Sequence, residues 1–452
     1  MSEFAPPEMI FHHHDQFVTI ELPMLAVVQN NRTQPESVPF RNTEQYELPT
    51  HIDNPFVCVA SVSKIWGVLE HFFPYFAQRS VDWSAELRPL LVSCADTDRL
   101  TMDKQIRLAL TKLGDNHITI QSLVGVKRFS WYAPPVSFAF IEDKPIVTYK
   151  PAASSSIQLG DELLAVDGRP IEVWLEELMP ISLTAPNQQR EKAVSSFLLR
   201  CDNTERKTLH LLNAEGIEYS VTLDCSENWW EARQKGWDNL AFANQPRYQL
   251  LSDNIHYINL SKTTPEQVEE TLNQLTSASA IIVDLRTYPQ SSEAWQRVLS
   301  HFVSDAIPSG PMFLHYANWP ERSHRLIKPL PQFIEPRLPT LSVPTIVLAS
   351  RHSISQNEHA LAYVQNAGLP ILGEPTVGIN GDVTRLRTFG GAQNGGIDIN
   401  FTGMEVRQND GSPLIGVGIV ADILQAPTIS SVRQGQDIQL QAAIDYLRTQ
   451  LE

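Results

Sequence analysis

Residues 345–358 read TIVLASRHSISQNE. The apolar, β-branched run at its start predicts a buried strand. Gln356 to Asn366 carries Ala360, Leu361, Tyr363 and Val364, then meets Gly368 and Pro370, which predicts a helix that stops there. Ser355 thus stands where a strand hands over to a helix. The positive end of the helix dipole lies at that point, and the Gln356 N–H that follows can face an oxyanion. A serine so placed is a candidate nucleophile. It is also a favoured N-cap, and the local sequence leaves both roles open. A nucleophilic serine needs a base, and the candidate is His117 in LTKLGDNHITI. It follows a helix and a Gly-Asp turn and precedes an alternating strand, so its ring can be presented to a cleft. A surface turn histidine fits the same pattern, and 238 residues separate it from Ser355.

These residues need a scaffold. Residues 1–55 are irregular and proline-bearing, with one predicted strand at Gln16 to Val28. SVSKIWGVLEHFFPYF places Val62, Ile65, Trp66, Leu69, Phe72 and Phe73 at helical spacing, with Pro74 as the stop. Thr101 to Lys112 predicts a second helix ending at Gly114. Residues 125–226 read as a small β-rich module in which Asp167-Gly168 is a hairpin signal, with a helix over Pro170 to Leu178 and strands at Thr208 to Leu212 and Ile217 to Leu223. From about Tyr248 strands and helices alternate, predicting an α/β core with a partly parallel sheet. A β-rich tail, roughly 383–428, precedes a last helix from Asp437 to Leu451.

Composition narrows the class. The chain has 452 residues, 42% hydrophobic and 19% charged, the balance of a globular protein of two or three domains. Its 35 basic against 51 acidic residues give a charge of −16, which argues against a general nucleic-acid or anionic-membrane binder. Cys58, Cys94, Cys201 and Cys225 contain no CxxC pair, so they form no zinc signature; one or two disulfides stay open. No run approaches the roughly 18 apolar residues of a membrane span. MSEFAPPEMIFHHHDQ has no basic stretch leading into an apolar one, and the expectation is a cytoplasmic chain, one trimmed of a leader being the alternative. His12, His13 and His14 are read as a solvated tract.

Several segments together resemble a known family. They are SKIWGVLEHFFPYF, LGDNHITI, IQLGDELLAVDGRPI, IHYINL with AIIVDLRTYP, SISQNE, GEPTVGINGDV and NDGSPLIGVGIVADI. In this order they resemble the motifs of the C-terminal processing (tail-specific) proteases, peptidase family S41, which include the tricorn protease core and the interphotoreceptor retinoid-binding protein repeats. The likeness runs from about residue 55 to 450. It implies an α/β fold with a mixed-sheet ClpP/crotonase-like core, an N-terminal helical region and an embedded PDZ-like β module. The implied division is an extension over 1–54, helices over 55–124, the PDZ-like module over 125–226 and the catalytic core over 227–452.

The resemblance also implies a site. One branch of the family uses a Ser–Lys dyad, but Ile379 and Val383 stand where its lysine and glutamine would be, and neither accepts a proton. The tricorn-like branch uses a histidine at the position of His117. The implied pair is therefore Ser355 as nucleophile and His117 as general base. The implied oxyanion donors are the backbone N–H groups of Gln356 and Tyr288, since Pro289 has none. Asn116, Asp115 and Glu358 are the candidates for orienting His117. No metal or cofactor is implied. A PDZ-like module implies a peptide partner, held near PAASSSIQLGD, residues 151–161. The expected activity is a serine peptidase. The alternatives are a non-proteolytic member binding an apolar small molecule or peptide, or one acting on a small-molecule substrate.

Overall fold

The structure, a computed structural model, describes residues 10–14, 19–23, 27–29, 32–34, 49–151, 156–238, 240–317 and 319–452. The strand predicted over 16–28 is divided. Thr19–Pro23 pairs with Ile10–His14, and Val27–Gln29 pairs with Arg32–Gln34, while residues 15–18 and 24–26 lie outside the described residues.

The core is a six-stranded sheet in the order Tyr248–Leu250, Ile255–Asn259, Ala280–Asp284, Thr345–Ala349, Ile371–Gly373 and Ile423–Leu424. The first pair is antiparallel and the others are parallel, so the sheet is mixed. Its central strands are mostly apolar and buried along their whole length, because both faces are covered. Ile281, Val283, Val347 and Ala349 face a cluster that includes Trp295, Leu361 and Val364. Ile282, Ile346 and Leu348 face Leu440, Ala443 and Leu447 of the last helix, Ile438–Leu451. That helix is tied down by Arg286, which is fully buried and binds Asp284 at 2.6 Å and Asp437 at 2.7 Å.

Two further sheets frame the core. One is antiparallel, in the order Glu218–Asp224, Arg206–Leu212, Glu162–Val166, Lys144–Tyr149 and Ser137–Ile141. Asp167 and Gly168 make its predicted tight turn, both with positive φ (52° and 75°). The other joins distant parts of the chain: Val383–Arg387 pairs with Ile397–Thr402, which pairs with Thr119–Ser122. The helices Pro55–Phe72 and Leu100–Lys112 pack on this second sheet, in a cluster that also holds Val377, Ile379, Phe401 and Ile415. Asn54 caps the first helix, accepting from the Phe56 N–H at 2.9 Å, and Pro55 sits at its first position. Two disulfides, Cys58–Cys94 and Cys201–Cys225, close loops of 36 and 24 residues. Among the described residues no helix is long and apolar enough to cross a membrane.

Candidate active site

The strand Thr345–Ala349 is buried along its whole length and delivers the chain to a turn held by serines. Ser350 Oγ donates to Arg286 O at 2.8 Å, and Ser353 Oγ donates to Leu285 O at 2.9 Å. Asn357 Nδ2 donates to Leu285 O and Thr287 O, both at 2.7 Å. These bonds clamp the turn to the loop that follows the neighbouring strand Ala280–Asp284. Ser355 comes next, half-buried, at the N-cap of the helix Gln356–Asn366. Its φ of 57° and ψ of −106° are sparsely populated for a residue with a Cβ. Outside contacts hold that conformation. The Ser355 N–H bonds Ile379 O at 3.0 Å and lies 3.3 Å from Glu358 Oε2.

Glu358 is fully buried beneath this turn. It accepts from Gly378 N at 2.7 Å, from Ile379 N at 2.9 Å and from the Thr376 hydroxyl. Burial pushes its carboxyl up to about 7, against the downward pull of these donors. Glu358 therefore acts on the serine side of the site and makes no bond to the His117 ring.

His117 is half-buried, two residues before the strand Thr119–Ser122 begins. Its Nδ1 lies 2.8 Å from Thr402 Oγ1. The Thr402 hydroxyl donates to Asp115 Oδ1 at 2.9 Å, and Asp115 also accepts from Thr402 N and His117 N, each at 2.8 Å. This network fixes the tautomer. A carboxylate only accepts, so the single Thr402 hydroxyl proton goes to Asp115. Thr402 Oγ1 is then the acceptor for Nδ1–H, and Nε2 keeps its lone pair. Burial lowers the His117 pKa below its ordinary 6.5, while the charge of Asp115 opposes this in part. The ring is thus biased toward its neutral form, and among the described residues no hydrogen-bond partner occupies Nε2.

Of the three orienters read from the sequence, Asp115 acts on the ring through Thr402. Asn116 turns elsewhere: its Oδ1 accepts from Ala185 N at 2.8 Å and from the Thr184 hydroxyl, and its Nδ2 donates to Val377 O at 3.3 Å. Thr402 escaped the sequence reading because nothing in NFTGMEV marks it.

Residues 376–381 are the strut between the two halves. Val377 O meets Asn116, Ile379 O holds Ser355, and a Cβ on Gly381 would lie 3.0 Å from Thr402 Cγ2. Among the described residues no hydrogen bond runs directly from Ser355 to the His117 ring. Beside the strut opens a cavity of about 650 Å³. Asn116, Thr287, Tyr288, Ile354 and Val377 all line it. The Gln356 N–H belongs to the first helical turn, where no carbonyl one turn back is available. Thr287 O is turned toward Asn357 and the Ser261 hydroxyl, so the trans peptide sends the Tyr288 N–H the other way. No group of three or more His, Cys, Asp or Glu able to hold a metal occurs among the described residues.

This fold is shared with solved proteins. Mature CPAF superposes with a TM-score of 0.67 at 14% identity, covering 88% of this chain and 97% of that one. Mature CPAF complexed with lactacystin gives 0.66 at 14% identity, over 88% and 98%. The chain has the CPAF fold. A candidate peptidase from Parabacteroides merdae gives 0.52 at 17% identity, covering 86% of this chain and 96% of that one. No family model matches the sequence, and no curated protein matches it. The likeness therefore lives in the backbone, at identities too low for pairwise sequence comparison to carry it.

Proposed function

We propose that this chain is a serine peptidase of the tail-specific (S41) type, with Ser355 as nucleophile and His117 as general base. What supports this is a serine in a strained, externally braced conformation on one side of the 376–381 strut and, on the other, a histidine whose Nδ1–H is directed to Thr402, with no partner on Nε2 among the described residues. In the reaction His117 Nε2 takes the Ser355 hydroxyl proton as Oγ adds to the carbonyl carbon. The Gln356 and Tyr288 N–H groups receive the oxyanion, and His117 returns the proton to the leaving amine. Asp115 and Thr402 hold the ring in the required tautomer and do not themselves exchange protons with substrate. This mechanism requires Ser355 Oγ and His117 Nε2 to come within hydrogen-bond reach when substrate is bound.

The same reading takes residues 125–226 as a PDZ-like peptide-binding module and 227–452 as a ClpP/crotonase-like core, with helices over 55–124 between them and the extension 1–54. The carboxylate loop is expected within 151–161, of which residues 152–155 lie outside the described residues. The two disulfides favour work in an oxidising compartment over the cytoplasmic expectation.

The test is a fluorophosphonate probe on folded protein. Wild type is expected to label, Ser355→Ala not at all, and His117→Ala at least about 100-fold more slowly. Absence of labelling in folded wild type sinks the hydrolase reading. It would leave the binding alternative, for which Trp230 and Phe242 in the cavity wall supply apolar surface.

A further inference from the structure

The cavity beside Ser355 is not uniformly apolar. Lys192, Arg233, Arg351 and His352 line it together with a single carboxylate, Glu191. They come from separate elements: Glu191 and Lys192 from the helix Gln189–Ala193, Arg233 from the helix Trp229–Asp238, and Arg351 and His352 from the turn before Ser355. Neither nearby anion is paired with Lys192 among the described residues. Glu191 Oε2 accepts the Phe140 N–H at 2.6 Å while its buried Oε1 has no hydrogen-bond partner among them, and Arg351 is paired with Glu374 at 2.8 Å. Lys192 has neither an ion-pair nor a hydrogen-bond partner among the described residues. Its surroundings disfavour positive charge: burial first, then Arg233 and Arg200, pull its pKa down to about 7. Burial, with Arg351 and Arg233, likewise pushes His352 down to about 3. A half-buried ammonium facing other cations is costly unless an anion joins it.

We infer that this wall of the cleft is a carboxylate subsite, in which Lys192, supported by Arg233 and Arg351, receives an acidic group of the substrate. The inference deepens the peptidase reading and rests on it for the word substrate. The carboxylate comes from an Asp or Glu side chain or from a free peptide C-terminus. In both cases its position is fixed relative to Ser355, because Arg351 and His352 belong to the same turn as the nucleophile. The subsite sets which peptides are held productively; Lys192 is a specificity residue and touches no reacting atom.

The experiment measures binding in the full-length Ser355→Ala protein, so that hydrolysis plays no part. Three probes are titrated by ligand-observed NMR: acetyl-Glu-amide, with only a side-chain carboxylate; acetyl-Gln, with only a C-terminal one; and acetyl-Gln-amide, with neither. At least one carboxylate probe is expected to bind about tenfold or more tightly than the neutral one, and which of them does so names the source. Lys192→Met is expected to erase the difference, Lys192→Arg to restore most of it, and the exposed Lys104→Met to leave it intact. Equal binding of all three probes, no binding of any, or a preference that survives Lys192→Met overturns the subsite. Fluorophosphonate labelling without carboxylate preference retires the subsite alone. Carboxylate preference without labelling retires the hydrolase alone.

Discussion

Replacing Thr402 by Val removes the hydroxyl through which Asp115 reaches His117. The ring then loses the acceptor that selects the Nδ1–H tautomer. The expected result is a fall of about 100-fold in kcat/KM, the lower end of what a positioned general base contributes, with folding retained. The pH profile reads the same network. A base must be neutral to act, so kcat/KM should rise as pH climbs through a pKa below 6.5, because burial lowers that of His117. Asp115 opposes this lowering, so Asp115→Asn should move the acid limb to still lower pH. A limb above 6.5 in wild type would contradict the assignment. Glu358 makes a stability prediction. Its folded pKa, pushed up to about 7, exceeds the ordinary 4.5. Between those values the folded chain keeps a proton that the unfolded chain has released. Stability from this group is therefore full below about pH 4.5 and declines as pH rises toward about 7. Glu358→Gln cannot titrate and should flatten that decline in urea unfolding. It should also lower stability by about 1–3 kcal/mol, because its NH₂ meets N–H donors.

The strut is the element on which the two halves of the site depend. Gly378 has a φ of +85°, and a Cβ there would lie 2.7 Å from Gly418 N and 2.8 Å from Val417 N. Both are backbone atoms that cannot swing aside. Gly378→Ala should therefore displace the segment whose N–H groups bind Glu358 and whose Ile379 carbonyl holds Ser355. The expected cost is about 1–3 kcal/mol, together with a loss of labelling rate larger than the unfolded fraction explains. Full labelling in the folded variant would show that the strut does not brace the serine. At this scale the sequence was readable where periodicity is strong. The helices Pro55–Phe72 and Leu100–Lys112, the turn at Asp167-Gly168 and the strand–helix pair around Ser355 all stand where their patterns placed them. The antiparallel pair Met312–Tyr316 and Leu326–Pro329 was not foreseen. Its first strand shows no alternation of buried and exposed residues, so no period of two marks it.

For the molecule as a whole, the disulfides stabilise regions that flank the six-stranded core sheet. Cys58–Cys94 ties the first helix to the helix Leu87–Ser93, and Cys201–Cys225 ties the approach to one strand to the end of its partner. Loops of 36 and 24 residues give an expected loss of about 2–4 kcal/mol for each bond removed. Reduction, or the pair Cys58→Ala and Cys94→Ala, should lower the unfolding midpoint accordingly. Four titratable thiols in native, unreduced protein would contradict both the bonds and the oxidising compartment. The sequence by itself determined the local elements, because residue type and short-range periodicity carry that information; the candidate pair Ser355 and His117, and Ile379 in place of a dyad lysine, were implied by its resemblance to the tail-specific proteases. Only the tertiary structure decided the cysteine pairing, the contact of Thr402 with His117 and the gathering of Lys192, Arg233 and Arg351 around the cavity beside Ser355. The bond from His117 to Thr402 crosses 285 residues, and its geometry is set by the register of three paired strands. No local pattern specifies that register, since it arises from how whole faces bury against one another.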